Sequence, residues 1–221
     1  MMPRQIISLV IIILLLPFAV YAEQKKTFYD DGTLHFEYSY VDGQLDGVSK
    51  EYYKTGQKKA ELIYERGELK LQREFLPDER LQSELWYKEG KKHEISFEYY
   101  STGVLFRERN LVDGQFEGLE KEYYQDGVLK AERHYKNGKR HGNAKGYHTN
   151  GSLQGDWQFE NGLPITATIY YRTGEKWLEH TFKQGKLNGI TQEYDKNGRL
   201  IAERYYRDDK LIDRKIVTDW F

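Results

Sequence analysis

Along this chain apolar and polar positions alternate with a period of two, and the alternation restarts at evenly spaced glycines. A period of two sends successive side chains to opposite faces, so each run reads as a strand with two unlike faces. One glycine series falls at Gly32, Gly56, Gly103, Gly127, Gly151, Gly174 and Gly198, in steps of 23 or 24 with one double step of 47. The double step covers a degenerate unit whose turn reads Pro77-Asp78-Glu79. A second series follows 11 residues behind, at Gly43, Gly67, Gly90, Gly114, Gly138, Gly162 and Gly185, with Asp209 in the eighth place. Self-similarity at a constant period marks stacked supersecondary units, here eight hairpins of about 24 residues.

Most of these glycines follow a small turn former, as in Asp31-Gly32, Asn150-Gly151, Asp42-Gly43 and Asn137-Gly138. Asp-Gly and Asn-Gly supply the two positive φ angles of a type I′ turn. With two-residue turns at every glycine the fold class is all-β, an elongated antiparallel meander of up to about 16 short strands. This register pairs Tyr29, Tyr53, Tyr100, Tyr124 and Tyr171 with the residue two after the glycine, such as Leu34, Leu105 or Leu129. The same face runs on to Tyr40, Tyr64, Tyr87, Tyr135, Phe159, Phe182 and Tyr206, a ladder of Tyr, Phe and Leu. A third glycine, at Gly47, Gly118, Gly142 and Gly189, falls on that face, where a missing side chain lets a ring lie over the backbone.

The opposite face carries Tyr52, Tyr99, Tyr123, Tyr147, Tyr170 and Tyr194, together with an acid in all eight units: Glu37, Glu61, Glu84, Glu108, Glu132, Asp156, Glu179 and Glu203. A group needed once per unit has a structural duty, such as pairing with a Lys or a Tyr hydroxyl. Pro77 cannot donate to a ladder, so a kink or division is expected near residues 71–82.

The motifs Glu51-Tyr52-Tyr53-x-x-Gly56, Glu98-Tyr99-Tyr100-x-x-Gly103, Glu122-Tyr123-Tyr124-x-x-Gly127 and Tyr135-x-x-Gly138-x-x-x-Gly142 resemble the MORN-repeat variant of bacterial proteins, including those grouped as YwqK-like antitoxins. The resemblance covers about residues 28–214. It implies the hairpin fold and, for an antitoxin, a toxin bound and silenced. The repeat itself serves unrelated roles, protein docking and membrane association among them.

Composition agrees with open β-structure: nineteen Tyr, ten Phe and four Trp stand beside 31% charged residues and four Pro. The net charge of −1 gives no footprint for nucleic acid. An apolar run from Ile6 to Val20, followed by Val20-Tyr21-Ala22, has the pattern of a secretory signal peptide cleaved after Ala22. A spanning helix needs about 20 apolar residues, more than this run offers. The expected place is the bacterial periplasm or cell surface. The expected organisation is a signal peptide at 1–22, units one and two at 23–70, the degenerate third unit at 71–94, units four to eight at 95–211, and a cap at 212–221 ending in Trp220-Phe221.

No Cys is present, which removes disulfides and thiolate chemistry. Nucleophile elbows, phosphate loops and His-Glu-x-x-His are missing too, and the carboxylates are spread evenly, so no enzyme and no cofactor is expected. His134 and His141 face each other across Asn137-Gly138 as weak metal candidates. Rigid aromatic platforms suit recognition of proteins or glycans. Trp86, Trp157 and Trp177 break the Tyr pattern, and with Tyr99, Tyr123 and Tyr170 they are the candidate binding residues. The leading expectation is an exported scaffold for a protein partner, with an antitoxin or immunity role as a special case. Attachment to glycan or membrane is the alternative.

Overall fold

The computed structural model describes residues 22–89 and 91–217, and the backbone alone for 91–94. The expected signal segment up to residue 21 and the Trp220-Phe221 cap lie outside the described residues. Among the described residues twenty strands form one antiparallel sheet, from β1 (Ala22–Phe28) and β2 (Leu34–Val41) to β19 (Leu200–Arg207) and β20 (Lys210–Ile216). Each pairs with its neighbours along the chain. The two-residue strands β3 (Gln44–Leu45), β10 (Gln115–Phe116) and β17 (Lys186–Leu187) are split by bulges from β4 (Gly47–Tyr52), β11 (Gly118–Tyr123) and β18 (Gly189–Tyr194). Counting each split pair once gives seventeen arms, since eight turns of each kind join one more arm than the expected sixteen.

Among the described residues the second glycine series makes the expected type I′ turns. Asp42 and Gly43 have φ of 49° and 79°, and Val41 pairs directly with Gln44. The first series does not. At Gly32 only the glycine has positive φ, its N–H donates to the Tyr29 carbonyl at 2.9 Å, and the Tyr29 N–H donates to the Thr33 carbonyl at 2.8 Å. This is a type I turn closed by a left-handed glycine, and it adds a bulge on the outgoing strand. Thr27 pairs with Phe36 while Phe28 pairs with Leu34, leaving His35 as the extra residue. The expected pairing of Tyr29 with Leu34 is therefore wrong by one. The bulged residue joins the turn Tyr instead: Tyr29 stacks on His35 at 4.1 Å, Tyr100 meets Phe106 at 5.0 Å, and Tyr171 stacks on Trp177 at 5.6 Å.

The third glycines also differ from expectation. No ring lies over them; the atoms that a Cβ would meet are Ser39 Oγ at Gly47, Asn110 Nδ2 at Gly118 and Thr181 Oγ1 at Gly189. Their φ values of 82°, 78° and 96° give the real reason, which is a left-handed residue at the bulge that splits the returning arm. Pro77 does not interrupt the ladder. It occupies the turn, where the Leu76 and Glu79 N–H groups make the same two bonds as elsewhere, and β6 (Glu68–Phe75) pairs with β7 (Leu81–Lys88) through Phe75 and Leu81. Proline suits that place because its φ matches and no donor is needed there. Glu79 takes the left-handed position at φ 63° in place of glycine.

Consecutive units are stitched together along both turn margins. On one margin Tyr29, Tyr53, Tyr100, Tyr124 and Tyr171 donate their hydroxyls to the carbonyls of Tyr52, Phe75, Tyr123, Tyr147 and Tyr194, at 2.7 to 2.9 Å. Two links are missing. Leu76 has no hydroxyl, and His148 stands where a Tyr is due with its Nε2 buried and unpartnered. On the other margin the Gly67, Gly138 and Gly162 N–H groups donate to the carbonyls of Leu45, Phe116 and Arg140.

Candidate functional site

The two faces of this sheet do different work. One is packed. Along a row of that face, returning strands place Glu51, Glu74, Glu98, Glu122 and Glu193, and outgoing strands answer with small residues, Ala60, Ser83, Ala131 and Ala202. Beside it a second row alternates large residues such as Leu62, Arg133 and Arg204 with small ones such as Ser49, Ala144 and Thr191. Arg133 reaches from its row to both Glu120 at 3.0 Å and Glu122 at 2.8 Å, and Lys130 reaches Glu122 at 2.6 Å. Burial opposes ionisation of Glu122, but those hydrogen bonds win and hold its carboxyl below the usual range. Arg204 meets Glu193 at 2.7 Å, and Arg109 pairs with Glu98. This Glu series was legible only as part of the Glu-Tyr-Tyr motif, and its role as a buried counter-ion was missed.

Unit six breaks this scheme. Gly146 replaces the Glu, Gly155 the small residue and Trp157 the Arg, and Trp157 is flanked across the ladder by Ala144 and Ala167. A Cβ placed on Gly155 would stand 2.4 Å from Trp157 Cη2 and 2.8 and 2.9 Å from the two carbons beside it. Near-equal distances of that size put the point above the ring rather than in its plane, so the indole lies face-on over Gly155. The ring over glycine that was expected at the third series occurs here.

The other face carries an alternating charge row. Lys26, Glu37, Lys50, Glu61, Arg73 and Glu84 are successive cross-strand partners, and after Phe97 the row resumes at Glu108, Lys121, Glu132, Lys145 and Asp156. The recurring acids so serve architecture, and Tyr hydroxyls complete them: Tyr147 donates to Glu132 at 2.9 Å and Tyr194 to Glu179 at 2.8 Å. Burial and then the neighbouring carboxylate push both phenols up to about 12. Glu179 is held low, first by the hydrogen bond from Lys176.

Next to the charge row, Val48, Ile63, Leu71 and Trp86 are cross-strand partners on four successive arms, and Ile95 lies on the arm after them. Val48, Trp86 and Ile95 are 45%, 41% and 37% exposed, whereas Leu71 is buried beneath them. Further along, the row turns polar, with His134, Asn143, Gln158, Thr166 and Thr181.

The six candidate binding residues do not meet. Trp86 belongs to the exposed apolar row, Trp157 to the packed face, and Trp177 to the turn margin beside Tyr171. Tyr99, Tyr123 and Tyr170 are half-buried at the place of Tyr147 and Tyr194, and burial raises the Tyr99 phenol. His134 and His141 border one depression of about 390 Å³, with Glu132 and Lys145. The His134 Nδ1 is engaged by the Asn143 carbonyl at 3.0 Å, and among the described residues no cluster of three or more metal-ligating side chains occurs.

Four segments, residues 45–66, 116–137, 140–161 and 187–208, match the family described as the MORN repeat variant. Each begins two residues before one of Gly47, Gly118, Gly142 and Gly189, so the matching units are the ones with a glycine at the bulge. In these units the chain is similar to that family. No curated protein matches it. Among solved structures it is similar to a mutant of S. aureus TarM in complex with fondaparinux, alpha-GlcNAc-glycerol and UDP, at 8% identity and a TM-score of 0.21, over 70% of this chain and 21% of that one. It is also similar to TcdB2-TccC3-TEV, at 16% identity and a TM-score of 0.21, over 85% of this chain and 11% of that one. The chain thus spans a small part of either, and neither likeness carries an argument here.

Proposed function

We propose that this chain is a non-enzymatic scaffold that docks a protein partner on the exposed apolar row around Trp86. One observation carries the reading: Val48, Trp86 and Ile95 stand exposed in one apolar row over five successive arms, with Ile63 and buried Leu71 between the first two, beside a row in which Lys50, Glu61, Arg73 and Glu84 alternate in sign. An apolar centre with a mixed-charge rim suits a protein surface, which has both signs to offer, better than an anionic membrane, which needs a cationic one. MORN repeats are generally involved in binding proteins or membranes, in keeping with this role. The N-terminal apolar run, taken as an export signal, would deliver the scaffold to the periplasm or cell surface. An antitoxin or immunity role, as in the YwqK-like proteins that the Tyr-Tyr motifs resemble, is the case in which the partner is a toxin.

The test compares Trp86→Ala and Ile95→Ser with Trp177→Ala, each shown to fold by circular dichroism, in binding to the protein that co-purifies with the wild type from envelope extract. Loss of at least about tenfold in affinity for the first two and little for the third is expected. A partner held equally by all three variants, or none held by the wild type, would overturn the proposal.

A further inference from the structure

Beyond protein docking, and on the packed face, units five and six form a half-open cavity of about 280 Å³ bordered by Tyr124, Arg133, Arg140, Gln154, Trp157 and Phe159. It arises where the repeat breaks. Regular units bring a Glu to this slot, whereas here Gly146 and Ala144 border the opening and no carboxylate does. Its cations are unequal. Arg133 and Lys130 are already neutralised by Glu120 and Glu122. Lys145, which also borders the opening, stands between Glu132 and Asp156 in the charge row. Arg140 is exposed, lies 5.4 Å over the Phe159 ring, and makes no ion pair with a carboxylate among the described residues. The cavity therefore offers a partly exposed indole, one uncommitted guanidinium braced on a ring, and the exposed Gln154 amide.

We infer that this cavity binds the ring of an acidic sugar, stacked on Trp157 with its carboxylate on Arg140. A pyranose presents an apolar C–H face that suits a rigid aromatic platform, and its hydroxyls suit an amide at the rim. Guanidinium matches carboxylate in planar, two-pronged geometry, which an ammonium cannot reproduce. A nucleotide would stack equally well, but its phosphate carries about two charges, and on this face Arg140 is the one lining cation without a carboxylate partner among the described residues, Lys145 belonging to the charge row of the other face. A neutral sugar would leave Arg140 unanswered. The volume admits one ring with its substituents rather than a long stretch of chain.

The chain is titrated with tri-galacturonate, its methyl ester and UMP, following tryptophan emission and amide shifts. Saturable binding of tri-galacturonate is expected, with the ester and UMP weaker by about tenfold or more. Arg140→Gln, a change to an exposed side chain, should lower tri-galacturonate affinity about tenfold and leave the ester unchanged, with Arg140→Lys in between. No saturable tri-galacturonate binding up to about 10 mM overturns the inference. So does equal binding of the ester, tighter binding of UMP, or an Arg140→Gln chain that binds as the wild type does. These outcomes are independent of whether a protein docks at Trp86.

Discussion

Gly155→Ala separates two accounts of Trp157 by the sign of its effect. In an ordinary strand, alanine for glycine stabilises by about 0.5–1 kcal/mol, because the unfolded chain has less freedom to lose. Here the new Cβ would stand 2.4 Å from Trp157 Cη2, with the next two ring carbons at 2.8 and 2.9 Å. Carbons rest about 3.5–4.0 Å apart, so the indole must retreat by roughly 1 Å from a nest already closed by Ala144 and Ala167. Overpacking of this size costs about 1–3 kcal/mol, for a net loss of up to about 2.5 kcal/mol after the backbone gain. Because repeat arrays need not unfold in one step, the readout is amide hydrogen exchange in unit six, with the tryptophan emission maximum alongside. Protection should fall across β13 (Lys139–Tyr147) and β14 (Leu153–Glu160), and the emission should shift to the red. Unit five has Ala131 at the same place under Arg133, so adding Trp157→Arg and Gly146→Glu to Gly155→Ala should restore protection. If Gly155→Ala alone stabilises by about 0.5 kcal/mol or more with unchanged emission, the ring does not lie on the glycine and the reasoning fails.

Further outcomes follow from the stitching and the bulges. Tyr124→Phe and Tyr100→Phe should each cost about 1 kcal/mol, one hydrogen bond apiece, and add when combined; denaturation of the double variant that falls well short of the sum would count against independent links. Leu76→Tyr should restore a missing link and gain about 0.5–1 kcal/mol, and no change in its denaturation midpoint would show that the link does not form. Gly118→Ala should destabilise by about 1 kcal/mol or more, because its φ of 78° is left-handed, and a neutral result in thermal melting would refute the bulge requirement. The phenols of Tyr147 and Tyr194 lie above the unfolded value of about 10, so their contribution is whole below that pH and is lost as the pH climbs through about 12. Absorbance titration of Tyr147→Phe should lack one late-ionising phenol, and an unchanged curve would remove that assignment.

The hairpins, their number and the type I′ turns were legible because Asp-Gly and Asn-Gly carry a backbone demand that no other pair meets as well. The first-series turns were not. A type I turn with a left-handed glycine uses the same dipeptides, and only the residues that contact the turn Tyr distinguish the two, namely His35, Phe106 and Trp177 in place of Leu34, Leu105 and Lys176. One extra residue sends every later side chain on that strand to the other face, so a turn-type error became an error of partners. Pro77 misled for a related reason: proline is hostile in a ladder and welcome at the second place of a turn, and the missing glycine hid which of these it was. The acids of the charge row were read as structural from their recurrence alone, and Tyr147 and Tyr194 supply the hydroxyls. The buried Glu series escaped because a glutamate next to two tyrosines looks solvated until the cross-strand arginine is placed, and Arg133 comes 11 residues after Glu122.

A regular ladder has no address. If every unit repeats the same Glu, Arg and Tyr, a ligand that fits one rung fits its neighbours equally, and binding is spread along the sheet. Specificity needs a rung that differs. Among the departures in the described residues, two place an aromatic residue in a slot where an adjacent unit has a charged one. Phe97 interrupts the cations of the charge row in the arm beside Trp86, and Trp157 replaces the arginine of the packed row above Gly155. Removing a charge from a repeating ion-pair row removes the desolvation cost that would oppose an apolar contact, as at Trp86, while Arg140 stands where other units have Leu45, Phe116 and Leu187 and adds a cation outside the rows. The two departures lie on opposite faces, so a protein and a small ring-bearing anion could occupy the sheet without competing for the same strand surface.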